Sequence, residues 1–252
     1  MMLSHTLEDF SFELPDRIVQ VWALYIRASD QVTARFELVL TPDEAVRAAR
    51  FRFEHLQRAF ILKRGALRIL LGRYLDTAPE SIQFAYNANG KPSLSRPAPV
   101  RFNTSHSGGI ALFAFTLESE IGVDVEQIRR LQGIREIAGR FFCREEATEL
   151  MALPAVHREA AFFRCWTRKE AYVKAVGEGL SVPLDAFRVT LRPGEPARLV
   201  HRDRDTVAAQ SWTLNDLQLP PQYAAALAYR DAARPVDVRP FVTPAELLTF
   251  TR

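Results

Sequence analysis

Apolar residues run almost unbroken from Ile18 to Ile26 (Ile-Val-Gln-Val-Trp-Ala-Leu-Tyr-Ile), which predicts a buried strand. Thr41 ahead of Pro42-Asp43-Glu44 supplies a hydroxyl cap, proline at the first helical position and acids in the first turn, so a helix starts there. A longer helix is predicted over Leu56 to Leu75, where Phe60, Leu67, Leu71 and Tyr74 fall on one face. Ile82 to Tyr86 reads as a strand, Asn87-Ala88-Asn89-Gly90 as a turn, and Val100 to Ser105 and Ile110 to Leu117 as two more strands.

From Ile121 the order repeats. A strand over Ile121 to Glu126 leads into helices at Gly133–Phe142, Arg144–Ala152 and Pro154–Val176. Strands follow at Phe187–Leu191, Ala197–Val200, Ser211–Leu217 and Tyr223–Tyr229, and the turn Gly90-Lys91-Pro92 has a counterpart in Gly194-Glu195-Pro196. The expectation is an α+β fold: a pseudo-duplicated monomer of two similar halves, each with a strand, helices and a small, mostly antiparallel sheet. The halves are residues 1–120 and 121–230. Residues 231–252 read as a Pro-containing surface tail with a short helix from Thr243.

Composition narrows this little. A chain of 252 residues with 48% hydrophobic and 25% charged residues can bury a core without staples. Cys143 and Cys165 are too few for a disulfide framework and lack metal-ligand spacing, which fits a reducing compartment. No window of 18 apolar residues offers a membrane span. Met1 to Pro15 carries Glu8, Asp9 and Glu13 rather than a basic region and an apolar core, so a cytoplasmic location is expected. The net charge of +3 does not call for nucleic acid. The charge is uneven, however: Arg47, Arg50, Arg52, Arg58, Lys63, Arg64, Arg68 and Arg73 lie between Ala45 and Tyr74 against Glu54 alone. Such a run is ordinarily a solvated helix face; the sharper alternative is a wall for a polyanion or an acidic protein.

The candidate chemistry lies in three segments. In Gly122-Val123-Asp124-Val125-Glu126 the two carboxylates share one face of a strand and the valines the other. An Asp-x-Glu is usually an exposed edge, but flanking apolar residues put this one on a buried strand, where like charges repel unless a cation lies between them. In Trp166-Thr167-Arg168-Lys169-Glu170-Ala171-Tyr172-Val173-Lys174, Glu170 and Lys174 stand one helical turn apart. That spacing alone is an ordinary surface ion pair; Phe162, Phe163, Trp166 and Tyr172 around it favour a ligand role. In Phe102-Asn103-Thr104-Ser105-His106-Ser107-Gly108-Gly109 a strand ends in hydroxyls, an imidazole and flexible amides suited to phosphate oxygens. A Ser-His hydrolase is disfavoured, because adjacent strand residues face opposite ways and no Gly-x-Ser-x-Gly elbow exists.

Taken together, in order and spacing, these segments resemble the 4′-phosphopantetheinyl transferases, in the larger monomeric class typified by the surfactin-synthetase-activating enzyme. The likeness extends through Gly177-Glu-Gly-Leu-Ser-Val-Pro-Leu-Asp185 and includes the upstream Gly90-Lys91-Pro92, covering about Arg47 to Asp185. It implies transfer of the phosphopantetheine arm of coenzyme A to a serine of an apo acyl or peptidyl carrier protein, releasing 3′,5′-ADP. On that pattern Asp124, Glu126 and Glu170 hold Mg²⁺, with Mn²⁺ the alternative. Glu170 is the base, Lys174 stabilises the transferring phosphate, and Lys169 lies alongside. Arg58, Lys91, Ser105 and His106 contact coenzyme A, with Arg47 and Arg50 alternatives to Arg58, and part of the basic stretch, including Arg64 and Arg68, faces an acidic carrier. The competing readings are a metal-dependent nuclease and a non-catalytic coenzyme A or carrier-protein module. Lack of a basic–aromatic track weighs against the first, and the full set of acids and lysines against the second.

Overall fold

The computed structural model describes residues 11–202 and 205–250, apart from the side chain of Leu180. The first half comprises β1 (Val19–Tyr25), α1 (Asp30–Glu37), α2 (Pro42–Ala49), α3 (Glu54–Leu75), β2 (Phe84–Tyr86), β3 (Pro92–Leu94), β4 (Val100–Ser107) and β5 (Ile110–Leu117). The second comprises β6 (Ile121–Gln127), α4 (Ile134–Phe141), α5 (Arg144–Ala152), α6 (Ala155–Val176), β7 (Phe187–Val189), β8 (Leu199–Arg202), α7 (Thr206–Ala209), β9 (Thr213–Asp216) and β10 (Tyr223–Tyr229). Each half pairs its first strand with its last and the last with the one before it, all antiparallel: β1-β5-β4 and β6-β10-β9. Each also carries a separate hairpin, β2-β3 and β7-β8. The expected duplication is therefore present in the strand pairing itself.

Two sheets stacked face to face explain why β1 is apolar without alternation. Val19, Val21 and Ala23 join Ile110, Leu112, Ile121, Val123, Val125 and Leu227 in a core between the sheets. Trp22 and Leu24 face the other way into a core closed by α3. In β6 the odd residues likewise enter the inter-sheet core, which leaves Gly122, Asp124 and Glu126 on the side of α6. Gly122 allows that approach: a Cβ there would lie 2.1 Å from the Ala171 carbonyl oxygen and 2.4 Å from the Ala175 amide nitrogen. The strand thus meets the helix backbone to backbone.

A buried ionic clamp is also duplicated. Glu44, in the first turn of α2, accepts the Thr41 amide at 3.2 Å and Arg68 Nε at 2.6 Å. Arg68 Nη1 donates to the carbonyls of Pro79 and Ile82. Glu146, in the first turn of α5, accepts the Cys143 amide at 2.9 Å and pairs with Lys169 Nζ at 2.8 Å. Lys169 donates to the carbonyls of Leu184 and Phe187, both at 2.6 Å. Arg68 and Lys169 are each the fifteenth residue of a 22-residue helix. Each ties that helix to the short helix before it and to the segment leading into the hairpin.

The carboxy-terminal segment departs from expectation. Instead of a surface tail, β11 (Val236–Val242) adds to the first sheet, parallel to β1, giving the order β11-β1-β5-β4. The helix α8 (Pro244–Leu248) then packs Leu247, Leu248 and Phe250 into the α3 core. The short α1 was not anticipated either; its Phe36 is fully buried against Gly65 of α3.

Candidate active site

Asp124 and Glu126 of β6 face α6, which carries Glu170 and Lys174, and of these Lys174 is in contact with Asp124. Asp124 is 4% exposed, and one of its oxygens, Oδ1, accepts Lys174 Nζ at 2.6 Å and Ser105 Oγ at 2.8 Å. Its other oxygen, Oδ2, is buried with no hydrogen-bond partner among the described residues, and a buried carboxylate oxygen left unpaired is costly. Glu126, two residues on, accepts Ser107 Oγ at 2.7 Å. Glu170 comes from the facing helix. Burial raises its pKa first, then the negative charge of Asp124 and, less strongly, Glu126, partly offset by Lys174. Glu126 is raised in the same way, by burial and by Asp124, partly offset by Ser107 and neighbouring cations. The acids therefore share one electrostatic field, the condition that a cation would relieve.

As the side chains stand, no three His, Cys, Asp or Glu residues among those described are drawn together as a metal-ligand group. Lys174 occupies the position next to Asp124. Its ammonium gives all three protons to Asp124, Ser105 Oγ at 3.0 Å and the Val123 carbonyl at 3.3 Å.

Two cavities flank this point and share Pro92 and Thr104. One, of about 360 Å³, is lined by Glu170, Lys174, Lys91, Asn103 and Gly177 among others. The second, of about 180 Å³, lies between β4 and α3 and is lined by Lys63, Arg64, Ser105, His106 and Phe60. His106 keeps much of its surface open, yet its imidazole is pushed down to about 4 by burial and by the ammonium groups of Lys63 and Lys174. Burial pushes the Lys63 ammonium down to about 8. Arg64 holds Glu44 at 3.4 Å and Tyr86 at 3.0 Å, and its Nη1 is buried without a partner among the described residues. A larger groove of about 1070 Å³ lies between α4 and α5, but none of these residues lines it.

The expected set is thus brought together in part. Lys91 reaches the site from the hairpin turn, its ammonium bonded to Glu120 and the Ala175 carbonyl, both at 3.0 Å. Lys169 does not lie beside Lys174. It is fully buried on the far side of α6, and Glu146, Leu184 and Phe187 take all three of its protons, leaving none for a phosphate. Arg58 lines neither cavity; it is tied to Asp30, to Glu54 at 3.0 Å and to the Ala28 carbonyl at 3.2 Å. Arg68, held on Glu44 with its side chain 2% exposed, cannot face a carrier. Lys63 and Arg64 are the basic residues that reach a cavity instead. Their signal was the helical spacing of Phe60, Lys63, Arg64 and Leu67, which places all four on one side of α3. Ser105 gives its single proton to Asp124, so a phosphate contact from that hydroxyl would require it to turn away.

The chain matches two family models: the 4′-phosphopantetheinyl transferase superfamily over residues 120–228, and the amino-terminal region of 4′-phosphopantetheinyl transferases over residues 28–118. It is 35% identical over 213 residues to the 4′-phosphopantetheinyl transferase HetI of Nostoc sp., covering 83% of this chain and 86% of that protein. It is 30% identical over 221 residues to the 4′-phosphopantetheinyl transferase psf-1 of Bacillus pumilus, covering 85% and 91%. A solved holo-[acyl-carrier-protein] synthase of Thermotoga maritima is 19% identical over 45% of this chain and 64% of that one, with a TM-score of 0.35. With relatives matched over most of their length and two matched family models, the chain belongs to the 4′-phosphopantetheinyl transferase superfamily and is an enzyme of that kind.

Proposed function

We propose that the seam between β6 and α6 transfers phosphopantetheine from coenzyme A to a carrier-protein serine, with Asp124, Glu126 and Glu170 holding a divalent cation, Mg²⁺ or Mn²⁺. The observation that carries this is the buried, unpartnered Oδ2 of Asp124, in the shared field of Glu126 and Glu170 and beside a cavity lined by Glu170 and Lys174. Hard carboxylate oxygens are the donors such ions take. When bound, the ion offsets negative charge on the pyrophosphate oxygens.

The protein's own groups supply the rest. Glu170 accepts the proton of the carrier serine, directly or through a water. The serine oxygen then bonds to the phosphorus that carries the pantetheine arm. The bond from that phosphorus to the oxygen of 3′,5′-ADP breaks, and the electron pair leaves with the nucleotide. Lys174 lets go of Asp124 and stabilises the phosphoryl oxygens. Lys91 holds the nucleotide portion from the hairpin turn. His106 faces the smaller cavity, where Lys63 and Arg64 supply positive charge for a phosphate. The partners on this reading are coenzyme A and apo carrier proteins, on which the enzyme acts as a cytoplasmic monomer. Among the described residues, no helix is long and apolar enough to cross a membrane.

The deciding experiment mixes the protein with coenzyme A, Mg²⁺ and a panel of apo carriers from fatty-acid, polyketide and nonribosomal-peptide systems. A carrier should gain the mass of one phosphopantetheine unit as 3′,5′-ADP appears. Unchanged masses across the panel would overturn the reading. Asp124→Ala and Glu170→Ala should each abolish turnover while keeping the wild-type circular dichroism spectrum; near wild-type rates from either would remove that residue from the assignment.

A further inference from the structure

The outer edge of β6 is covered by side chains rather than by a strand. Its partner β10 takes one edge; on the other, the amides of Val123, Val125 and Gln127 would be left without backbone acceptors. Three alternate residues of β4 satisfy them. Asn103 Oδ1 accepts the Val123 amide at 2.9 Å, Ser105 Oγ the Val125 amide at 3.3 Å, and Ser107 Oγ the Gln127 amide at 3.1 Å. The period of two in β4 matches the period of two in β6. Beyond Ser107 the seam stays close: a Cβ on Gly108 would lie 2.6 Å from Gln127 Oε1, and Tyr223 of β10 donates to the Gly108 carbonyl.

A serine hydroxyl has one proton to give. Because each serine accepts from an amide, its proton is turned away from that amide, and in both cases it goes to the carboxylate of the preceding residue. Ser105 donates to Asp124 Oδ1 at 2.8 Å and Ser107 to Glu126 Oε2 at 2.7 Å. We infer that Ser105 and Ser107 are positioning residues which fix the direction of the Asp124 and Glu126 carboxylates from across the seam. Docking of the first half against the second then sets the ligand geometry. The inference rests on the proposed reading of Asp124 and Glu126 as cation ligands. It gives Ser107 a role and places Ser105 behind the acids rather than on the nucleotide.

Partners that orient metal-binding carboxylates change metal affinity by about 10–100-fold when removed. The test compares the wild-type enzyme with Ser105→Ala, Ser107→Ala, Ser107→Thr and Asp124→Ala. Free Mn²⁺ is titrated by electron paramagnetic resonance without coenzyme A, and the Mg²⁺ concentration for half-maximal turnover is measured separately. We expect Ser105→Ala and Ser107→Ala each to weaken Mn²⁺ binding about tenfold or more and to raise the Mg²⁺ requirement to match. For Ser107→Ala, coenzyme A affinity without metal should change by less than about twofold, and Ser107→Thr, which keeps the hydroxyl, should restore Mn²⁺ binding. Ser107 is half-buried, so its variants report even if Ser105→Ala fails to fold. A Ser107→Ala enzyme that melts lower but binds Mn²⁺ like the wild type would overturn the ladder while leaving the cation site in place. Failure of the wild type to bind Mn²⁺ better than Asp124→Ala would overturn the cation reading, and this inference with it.

Discussion

Lys63 shows how burial and charge combine at a single side chain. Its ammonium is pushed down from 10.5 to about 8 because α3 and β4 enclose it. Between about 8 and 10.5 the unfolded chain binds more protons at this position than the folded one, so stability rises with pH across that window. Below about 8 the buried charge is a constant cost. Lys63→Met should therefore melt higher than wild type at pH 7 and lose that rise. A phosphate bound in the cavity would reverse the preference by favouring the charged lysine. Coenzyme A affinity of the wild type should then fall as pH rises through about 8, whereas Lys63→Met should bind about tenfold more weakly at pH 7 and show no such fall. Calorimetric titrations at pH 7 and 9 check both, and unchanged affinity in Lys63→Met would remove the residue from the substrate site. At this scale the residues legible in the sequence were those fixed by local period: Asp124 and Glu126 by strand alternation, Glu170 and Lys174 by the helical turn. Lys169 was not, because its neighbour on a helix points about 100° away, and only packing shows that its side enters a core with Glu146. That Lys63 rather than Arg58 lines the cavity depends likewise on which side of α3 the sheet covers.

The elements owe their places to devices used twice. Glu44–Arg68 and Glu146–Lys169 each fasten a long helix to a short one, and each cation also holds two carbonyls. Removing one member leaves an uncompensated buried charge. Glu146→Ala should therefore cost about 3–5 kcal/mol, and Glu146→Leu combined with Lys169→Met considerably less than the sum of the single changes. Denaturant midpoints for the cycle measure this. A double variant as damaged as the sum would show that the two residues act independently. Gly122→Ala tests the contact of β6 with α6. A Cβ 2.1 Å from a carbonyl oxygen meets backbone, which cannot rotate away, so strand and helix must separate. A loss of about 1–3 kcal/mol or more is expected, with turnover falling further than stability explains, since the same separation parts Asp124 from Glu170. The long elements and their order could be read in advance because hydrophobic period is local. The missed α1 is eight residues long and keeps only Thr33 and Phe36 buried, too few to mark a face.

At the scale of the molecule, one frame appears twice, and on the proposed reading only one copy carries the cation-binding acids. The fourth residue of β6 is Asp124 where that of β1 is Trp22, and the sixteenth of α6 is Glu170 where that of α3 is Ile69. The first half fills these positions with core, and on the proposed reading its share of function is exerted at the seam and at the α3 cavity. The carboxy-terminal segment reads as a tail because Asp237, Arg239 and Pro240 give β11 a polar look, whereas its pairing with β1 joins residues more than 200 apart in sequence. In the folded chain it seals the first half: β11 covers the edge of β1, while Leu247, Leu248 and Phe250 are at most 4% exposed. Burying such side chains contributes about 1.5–3 kcal/mol each, and a domain's net stability is only about 5–15 kcal/mol. Ending the chain after Arg234 should therefore remove most of the stability and abolish turnover, although no carboxylate or lysine of the site is deleted. The effect should enter through the first half: in hydrogen exchange, protection should fall in β1 and α3 before it falls in α6. A truncated enzyme that melts and turns over like the full chain would show that β11 and α8 merely lie on the frame; selective loss in β1 and α3 would show that the half without catalytic acids holds the active half in register.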